Sequence, residues 1–488
     1  MGAKNETRRE FLKKLGTGAA SLSAMSARGL ATTASCKQRK PNLLFIWTDQ
    51  QRTETMAVYG NTRIHAPNLN RLATESFVFK QAYVSQPVCT PSRSTVLTGL
   101  WPHASGCIHN NIPLKREIPC LPELINDPEY RTGYMGKWHL GDEIFAQHGF
   151  EEWAAIEDNY IRYYSESRGR KARSHYHHYL LRHGYKPDRE NVFRRNYCTT
   201  LPIEHCKPAF LERNVSEFLR RHRDEPFMLY VNFLEPHPPN NGPFNNEHSL
   251  DEVYLPGNYN DSLEENEPER YRELRAEQAE MFTPESKAKE FTQKYWGLVT
   301  QVDRSVGKIL DTLKELRLED NTLVVYTSDH GEMLGSHKMH GKSVMFEESA
   351  RVPWLMRIPW MGTECRQIEN PVSHIDLVPT LLALMGSSRS EDLPGQSLVP
   401  LLKGGQVHED HVFIEFHYPD RTHTRSIVSP DGWKLCLHED DKCQLYNLVD
   451  DRGETCNLYS SRQYRETIQR LTRRIHEWQR KVNDTAKV

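Results

Sequence analysis

A cysteine in the segment 87–99 has neighbours that suit nucleophilic chemistry. Cys89 is followed by Pro91 and Arg93 in the pattern Cys-x-Pro-x-Arg, and the segment ends in Leu-Thr-Gly. Because proline is favoured in the first turn of a helix, we expect a helix that begins near Ser92, with Cys89 close to its positive end. A nucleophile that forms a covalent intermediate splits one difficult hydrolysis into two easier steps.

Polar residues follow three of four apolar runs in the sequence. The runs 42–48, 226–234, 322–328 and 352–358 are too short and too rich in strand-forming residues for helices, so we predict buried strands. In α/β sheets, chemistry gathers at the carboxyl ends of the strands. The residues that follow the first three runs are of the types that bind metals and move protons: Asp49, Gln50, His237, Asp329 and His330.

The elements around these residues predict an α/β sheet with covering helices. Apolar residues recur three or four apart from Tyr295 to Leu313, after a start signal at Pro284, which predicts a helix between the second and third strands. Strand-like pieces at 411–416, 424–428 and 433–437 precede a last helix with one apolar stripe. They predict a smaller antiparallel sheet plus helix. We therefore expect a catalytic domain over 41–404 and a C-terminal subdomain over 405–488.

Charge and the N-terminus restrict the partners and the compartment. With 63 basic and 65 acidic residues, the formal charge of -2 argues against a nucleic-acid partner. Arg8 and Arg9 precede a weakly apolar stretch over 15–34, so residues 1–40 resemble a twin-arginine export signal and linker. The alternative is a basic amphipathic start. Export predicts a periplasmic, outer-membrane-tethered or secreted protein, and Cys36 lies at a loose lipoprotein cleavage site, either lipidated or not. No other segment has the ~20 apolar residues of a membrane span.

The segment 87–99, together with the rest of the chain from about residue 41 to the last helix, resembles the formylglycine-dependent sulfatases of the alkaline-phosphatase superfamily. The resemblance implies a large mixed sheet sandwiched by helices and a hydrolase of sulfate esters. It also implies that a maturation enzyme oxidises Cys89 to formylglycine, whose hydrate is the nucleophile.

The resemblance assigns two sets of residues. The implied metal ligands are Asp49, Gln50, Cys89 as formylglycine, Asp329 and His330. They suit Ca²⁺, or Mg²⁺ or Mn²⁺, because Gln50 replaces a second aspartate of many members and His330 is a softer ligand. The remaining implied catalytic residues are Arg93, Lys137 and Lys342 for sulfate and hydroxyl binding, His139 for a hydrogen bond to formylglycine, and His237 to protonate the leaving alcohol.

Several alternatives stay open at this point. The segment 160–189 is rich in arginine and tyrosine, which predicts either an insertion that binds an acidic glycan or a solvated surface insertion. A phosphodiesterase or phosphonate monoester hydrolase is the second function, and a catalytically silent glycan-binding protein is the third. His337, His340, Asn110 and Asn111 are candidates for the substrate entrance. Cys436 and Cys443 are either a disulfide or two thiols.

Overall fold

A run of eight buried residues, Asn42–Asp49, forms strand β1 in the middle of a large sheet. Because successive side chains of a strand point to opposite faces, Leu43 and Phe45 pack on one side and Leu44 and Ile46 on the other. A strand buried on both faces needs cover on both faces. The computed structural model describes residues 39–387, 393–420 and 422–488.

The large sheet has the strand order β4-β3-β5-β1-β6-β7-β2-β8 within the described ranges. β7 runs antiparallel to its neighbours β6 and β2, and the other pairs are parallel, so the sheet is mixed as predicted. The bounds are β1 (Asn42–Asp49), β2 (Phe77–Tyr83), β3 (Arg131–Gly136), β4 (Glu152–Ala155), β5 (Phe227–Pro236), β6 (Thr322–Ser328), β7 (Arg351–Arg357) and β8 (Arg366–Ser373).

Helices cover both faces of this sheet, which confirms the predicted fold class. One face packs against α1 (Pro67–Thr74), α7 (Lys207–Arg221) and α9 (Glu285–Glu315). The other face packs against α2 (Cys89–Thr98), α4 (Leu121–Ile125), α11 (Leu377–Leu384) and α12 (Val399–Leu402). The remaining helices are α3 (Pro102–Ser105), α5 (His175–Arg182), α6 (Arg195–Cys198), α8 (Glu269–Gln278), α10 (Glu347–Ala350) and α13 (Arg465–Val482).

The predicted smaller antiparallel sheet is present near the C-terminus. Its order is β12-β11-β10-β9, with β9 (Val412–His417), β10 (His423–Val428), β11 (Trp433–His438) and β12 (Gln444–Asn447). Leu471, Ile475 and Trp478 of α13 pack on one of its faces. Lys40–Val488 form one compact unit, and the predicted boundary at 404/405 stays a prediction.

Three predictions about the termini and the thiols have different outcomes. Residues 1–38, with the predicted export signal and Cys36, lie outside the described part of the chain. Among the described residues, every helix is too short or too polar to cross a membrane. Cys436 and Cys443 are both free thiols, so the disulfide alternative is not what the structure has.

Candidate active site

Four buried side chains converge where β1 and β6 end. Asp49 is the last residue of β1, which pairs in parallel with β6, and Asp329 and His330 follow β6 directly. One potential ligand atom from each of Asp49, Cys89, Asp329 and His330 lies within 4.8 Å of the other three. The structure therefore brings together four of the five predicted metal ligands.

Helix α2 carries Cys89 as its first residue, so the predicted helix start near Ser92 is wrong. Pro91 is tolerated inside the first turn because the N–H that it lacks has no intrahelical partner there. The Cys89 Sγ lies 3.1 Å from Nε2 of His330 and 3.9 Å from Oδ1 of Asp49. Position 89 therefore stands both at the positive end of a helix and at the edge of the cluster.

Arg93 orients the two carboxylates of the cluster. Its side chain is fully buried and binds Oδ2 of Asp49 at 3.0 Å and Oδ2 of Asp329 at 2.8 Å. The other oxygens, Oδ1 of Asp49 and Oδ1 of Asp329, lie 3.7 and 3.5 Å from Nε2 of His330. Each carboxylate thus gives one oxygen to Arg93 and turns the other toward the centre.

The ring of His330 is set up as a ligand. Its Nδ1 lies 2.9 Å from the carbonyl oxygen of Gly331, to which it donates, so Nε2 carries the lone pair that faces the cluster. Two carboxylate oxygens, an imidazole nitrogen and the group at position 89 make a donor set for a divalent cation. The residues present therefore fit the metal that the sequence predicts.

Alternation along the sequence predicts Lys137 and His139 on one face of a strand, but the structure places both after the strand ends. β3 ends at Gly136, whose φ of 122° is left-handed, so the two residues are not on one face of a strand. The Lys137 ammonium contacts Oδ2 of Asp49, which raises the pKa of this lysine against the effect of burial. His139, with a φ of 59°, donates from Nε2 to Asn111 at 3.0 Å and has a buried Nδ1 with no partner among the described residues.

Lys342 and Gln50 form a second link beside the cluster. The Lys342 ammonium donates to Oε1 of Gln50 at 2.5 Å, and the Gln50 amide nitrogen donates to Glu332. Glu332 also accepts from the main chain of Gly341 at 2.6 Å. The amide of Gln50 therefore holds Lys342 toward the site, and its role as a metal ligand stays a prediction.

The field at position 89 favours an anion. Burial and Asp49 raise the pKa of the Cys89 thiol, but Lys342 and Lys137 outweigh them and bring the value to about 7. The same cations that stabilise a thiolate would stabilise a negatively charged oxygen at this position or a bound anion beside it.

His237 lies just after β5, as predicted, but its ordinary pKa does not apply. Burial, with Lys342 and Lys137, lowers its pKa well below the usual range, although Asp49 acts in the opposite direction. The Nδ1 donates to the carbonyl oxygen of Pro238 at 2.7 Å, so Nε2 is the atom left to carry a transferable proton. Burial and the two lysines therefore favour the neutral form of His237.

Sequence reasoning missed a group of charged residues beside His237. Glu157 binds Arg195 and also Lys207, the latter at 2.5 Å. Tyr160 accepts a hydrogen bond from Arg195 at 2.9 Å, and its ring packs on His139 with centroids 4.4 Å apart. The signal for Tyr160 was present in the segment 160–189, but no spacing pattern connects residues 157, 195 and 207.

The other candidates for the substrate entrance have structural partners. His337 is fully buried and binds Asp261 at 2.6 Å, so the prediction that it lines the entrance is wrong. Asn110 caps the start of α2 by accepting from the Thr90 N–H at 3.0 Å. His340, partly exposed, binds Glu332 at 3.1 Å.

Two arginines of the segment 160–189 donate to main-chain carbonyl groups in or next to the segment. Arg170 donates to the carbonyl oxygens of Ile161 and Arg162 at 3.1 and 2.8 Å. Arg173 donates to the carbonyl oxygen of Asn191 at 2.6 Å. These contacts favour the solvated-surface alternative for both arginines.

Two family models match this chain. The sulfatase model covers residues 41–387, and a model described as N-sulphoglucosamine sulphohydrolase, C-terminal, covers residues 335–481. Together they account for the large sheet, the cluster and the smaller sheet.

Individual relatives extend over most of the chain. An uncharacterised sulfatase of Escherichia coli is 30% identical over 469 residues, 91% of this chain and 88% of the relative. An N-acetylglucosamine-6-O-sulfatase of Bacteroides thetaiotaomicron is 24% identical over 95% of this chain and 90% of the relative. The solved structure of a phosphonate monoester hydrolase from Silicibacter pomeroyi shares the fold, with a TM-score of 0.76 at 22% identity over 91% of this chain and 96% of that one. The chain belongs to the sulfatase family of sulfuric ester hydrolases.

Proposed function

We propose that this protein hydrolyses sulfate esters of a sulfated polysaccharide or oligosaccharide, with formylglycine made from Cys89 and a divalent metal. The observation that carries the proposal is the buried cluster of Asp49, Cys89, Asp329 and His330, whose potential ligand atoms lie within 4.8 Å of one another. The carbohydrate part is supported by relatives such as the N-acetylglucosamine-6-O-sulfatase and an ulvan-active sulfatase of Formosa agariphila, 27% identical over 78% of this chain.

Asp49, Asp329 and His330, with the group at position 89, would hold the metal. A bound divalent cation supplies Lewis acidity, which makes a hydroxyl at position 89 easier to deprotonate and neutralises sulfate oxygens. Ca²⁺ is the proposed ion, with Mg²⁺ or Mn²⁺ as alternatives, because two carboxylates dominate the donor set and one imidazole softens it.

The chain's own residues position the reactants. Arg93 fixes both carboxylates from a fully buried position. Lys137 and Lys342 both lower the pKa of the Cys89 thiol, so both are close enough to bind the oxygens of an anionic sulfate group at this position. His139, held by Asn111, presents its free Nδ1 as an acceptor for a hydroxyl.

His237 would deliver the proton to the leaving alcohol from Nε2. Its lowered pKa makes His237 a poor base before the substrate binds. The negative charge of a bound sulfate ester would raise this pKa again, so that Nε2 can hold the proton that it delivers. Proton delivery of this kind contributes roughly 10²–10⁴-fold to a rate.

A phosphodiesterase or phosphonate monoester hydrolase is the second candidate. The likeness to a solved phosphonate monoester hydrolase supports it at the level of the fold. The discriminating measurement is the ratio of kcat/KM for an aryl sulfate and an aryl phosphodiester. A ratio well above one supports the sulfatase, and a ratio well below one supports the rival.

The test of the main proposal is sulfate release from a panel of sulfated glycosaminoglycan and algal oligosaccharides. The protein is co-expressed with a formylglycine-generating enzyme and its mass at position 89 is verified. Release from one member identifies the sugar and the position together. Silence across the whole panel, with formylglycine verified, contradicts the carbohydrate proposal. Binding without turnover would instead support the silent glycan-binding alternative.

The compartment is also a proposal. Arg8, Arg9 and the apolar stretch that follows support export to the periplasm or beyond, where sulfated polysaccharide would be met. Fractionation of the native host, with and without Arg8→Lys and Arg9→Lys, tests it. Wild-type protein that stays with the cytosolic fraction would contradict the proposal.

A further inference from the structure

Arg195, the first residue of α6, is fixed in one orientation beside the proposed active site. Its Nε lies 3.0 and 2.9 Å from the two carboxylate oxygens of Glu157, and one terminal nitrogen, Nη2, donates to the Tyr160 hydroxyl at 2.9 Å. The side chain nevertheless keeps 18% of its surface exposed. One edge of the guanidinium is therefore bound, and the other is open to a ligand.

The open edge carries Nη1, which has no acceptor among the described residues. Within hydrogen-bond distance of Nη1, the described residues place Nδ1 of His237, at 3.4 Å. This nitrogen already donates its proton to the carbonyl oxygen of Pro238 at 2.7 Å, so it has no lone pair to offer. Nη1 of Arg195 and Nδ1 of His237 are therefore both donors. A negatively charged oxygen of a substrate would accept the hydrogen bond that Nη1 can donate and would pair with the charge of Arg195.

The local charge balance also calls for an anion. The single carboxylate of Glu157, 1% exposed, faces two cations, Arg195 and the almost fully buried Lys207. Glu235 lines the same small cavity as Arg195 and His237, but burial raises its pKa to about 7, so it neutralises the excess only in part. A buried charge without a partner is costly, and a bound anion would offset that cost.

Resting on the proposed sulfate-ester hydrolysis, we propose that Arg195 binds a second anionic group of the substrate, a carboxylate or another sulfate, on the leaving-group side of the scissile bond. The side is set by His237, the proposed proton donor to the leaving alcohol, which lies against Nη1. Lys137 and Lys342, by contrast, act on position 89, where the scissile sulfate would lie. Arg195 would thus determine specificity by a charge-assisted contact.

The experiment uses the oligosaccharide that the panel selects and two derivatives of it. In one derivative the uronate is methyl-esterified, and in the other the non-scissile sulfate is removed. We expect kcat/KM of the wild-type enzyme to fall about 10- to 100-fold for one derivative, since a hydrogen bond to a charged group has that effect. The derivative for which kcat/KM falls identifies which anion Arg195 binds.

Two variants assign this preference to Arg195. Arg195→Gln should bring kcat/KM for the parent and the sensitive derivative to within about threefold of each other. Arg194→Gln is the matched control, because Arg194 is 59% exposed and pairs with Asp188 and Glu190 on the surface, so it should keep the wild-type preference.

Three outcomes would overturn the inference. They are a selected oligosaccharide with no second anion, a wild-type enzyme that cleaves both derivatives as well as the parent, and a preference that survives Arg195→Gln. The first two need no variant, so a variant that does not fold leaves the inference falsifiable. Failure of the proposed function looks different, since no sulfate would then be released from any oligosaccharide.

Discussion

Arg93→Gln should destabilise the protein far more than the loss of an ordinary ion pair. The guanidinium is fully buried between Asp49 and Asp329 and also donates to Asn232 at 3.0 Å. Lys137 still contacts Asp49 in the variant, so the main loss is the pair between Arg93 and Asp329. Breaking one buried pair costs about 3–5 kcal/mol. We expect the free energy of unfolding, measured with urea in a chelator, to fall by that amount.

The same experiment has an internal control and a metal arm. Arg474→Gln removes a guanidinium that binds Glu409 at 2.8 and 2.9 Å but is 34% exposed, so its loss should be about 0–1 kcal/mol. A cation at a hundredfold excess over its Kd should add about 2.7 kcal/mol to the stability of the wild type. The account of the cluster would be refuted if both variants lost the same free energy of unfolding, or if added Ca²⁺ did not change the free energy of unfolding of the wild type.

Three further predictions concern backbone, pH and metal. Gly136→Ala should lower the free energy of unfolding by at least about 2 kcal/mol, because a Cβ there would lie 1.9 Å from the Asn232 carbonyl oxygen. Gly60 also has a left-handed φ, but a Cβ there would meet no atom, so Gly60→Ala should lower the free energy of unfolding by less. Equal urea midpoints for the two variants would contradict the predicted clash with Asn232. Burial lowers the pKa of His103, but the hydrogen bond to Glu415 outweighs this effect and raises it. The contribution of this pair to the free energy of unfolding is therefore full below about pH 6.5 and is lost as the pH rises through the raised pKa. His103→Gln should flatten that decline in a pH series of urea melts, and an unchanged decline would refute it. Chelation of the matured enzyme should abolish turnover and Ca²⁺ should restore it, whereas full activity in a chelator would rule out the metal role.

The sequence predicted the strands whose side chains are apolar on both faces. β1, β5, β6 and β7 were expected within two residues of their bounds, because each is a continuous apolar run. β8 was missed since it lies at the edge of the sheet, is exposed over half of its length and contains Pro371. β3 was missed because Gly133 and Gly136 interrupt its apolar pattern.

The residues of the candidate site also fall into a group that the sequence pattern predicts and a group that it does not. Asp49, Asp329 and His330 were predictable because each directly follows a recognisable strand. Glu157 and Arg195 were not, since they lie 38 residues apart and meet only through tertiary packing. Their types alone are those of ordinary surface residues.

The central claim is that position 89 supplies the nucleophile for sulfate-ester hydrolysis. The most direct measurement is sulfate release by two preparations, the wild type with formylglycine verified at position 89 and Cys89→Ala expressed in the same host. The account predicts turnover by the first and none by the second, with the free energies of unfolding of the two proteins equal to within about 1 kcal/mol. Sulfate release by Cys89→Ala at the wild-type rate would contradict it.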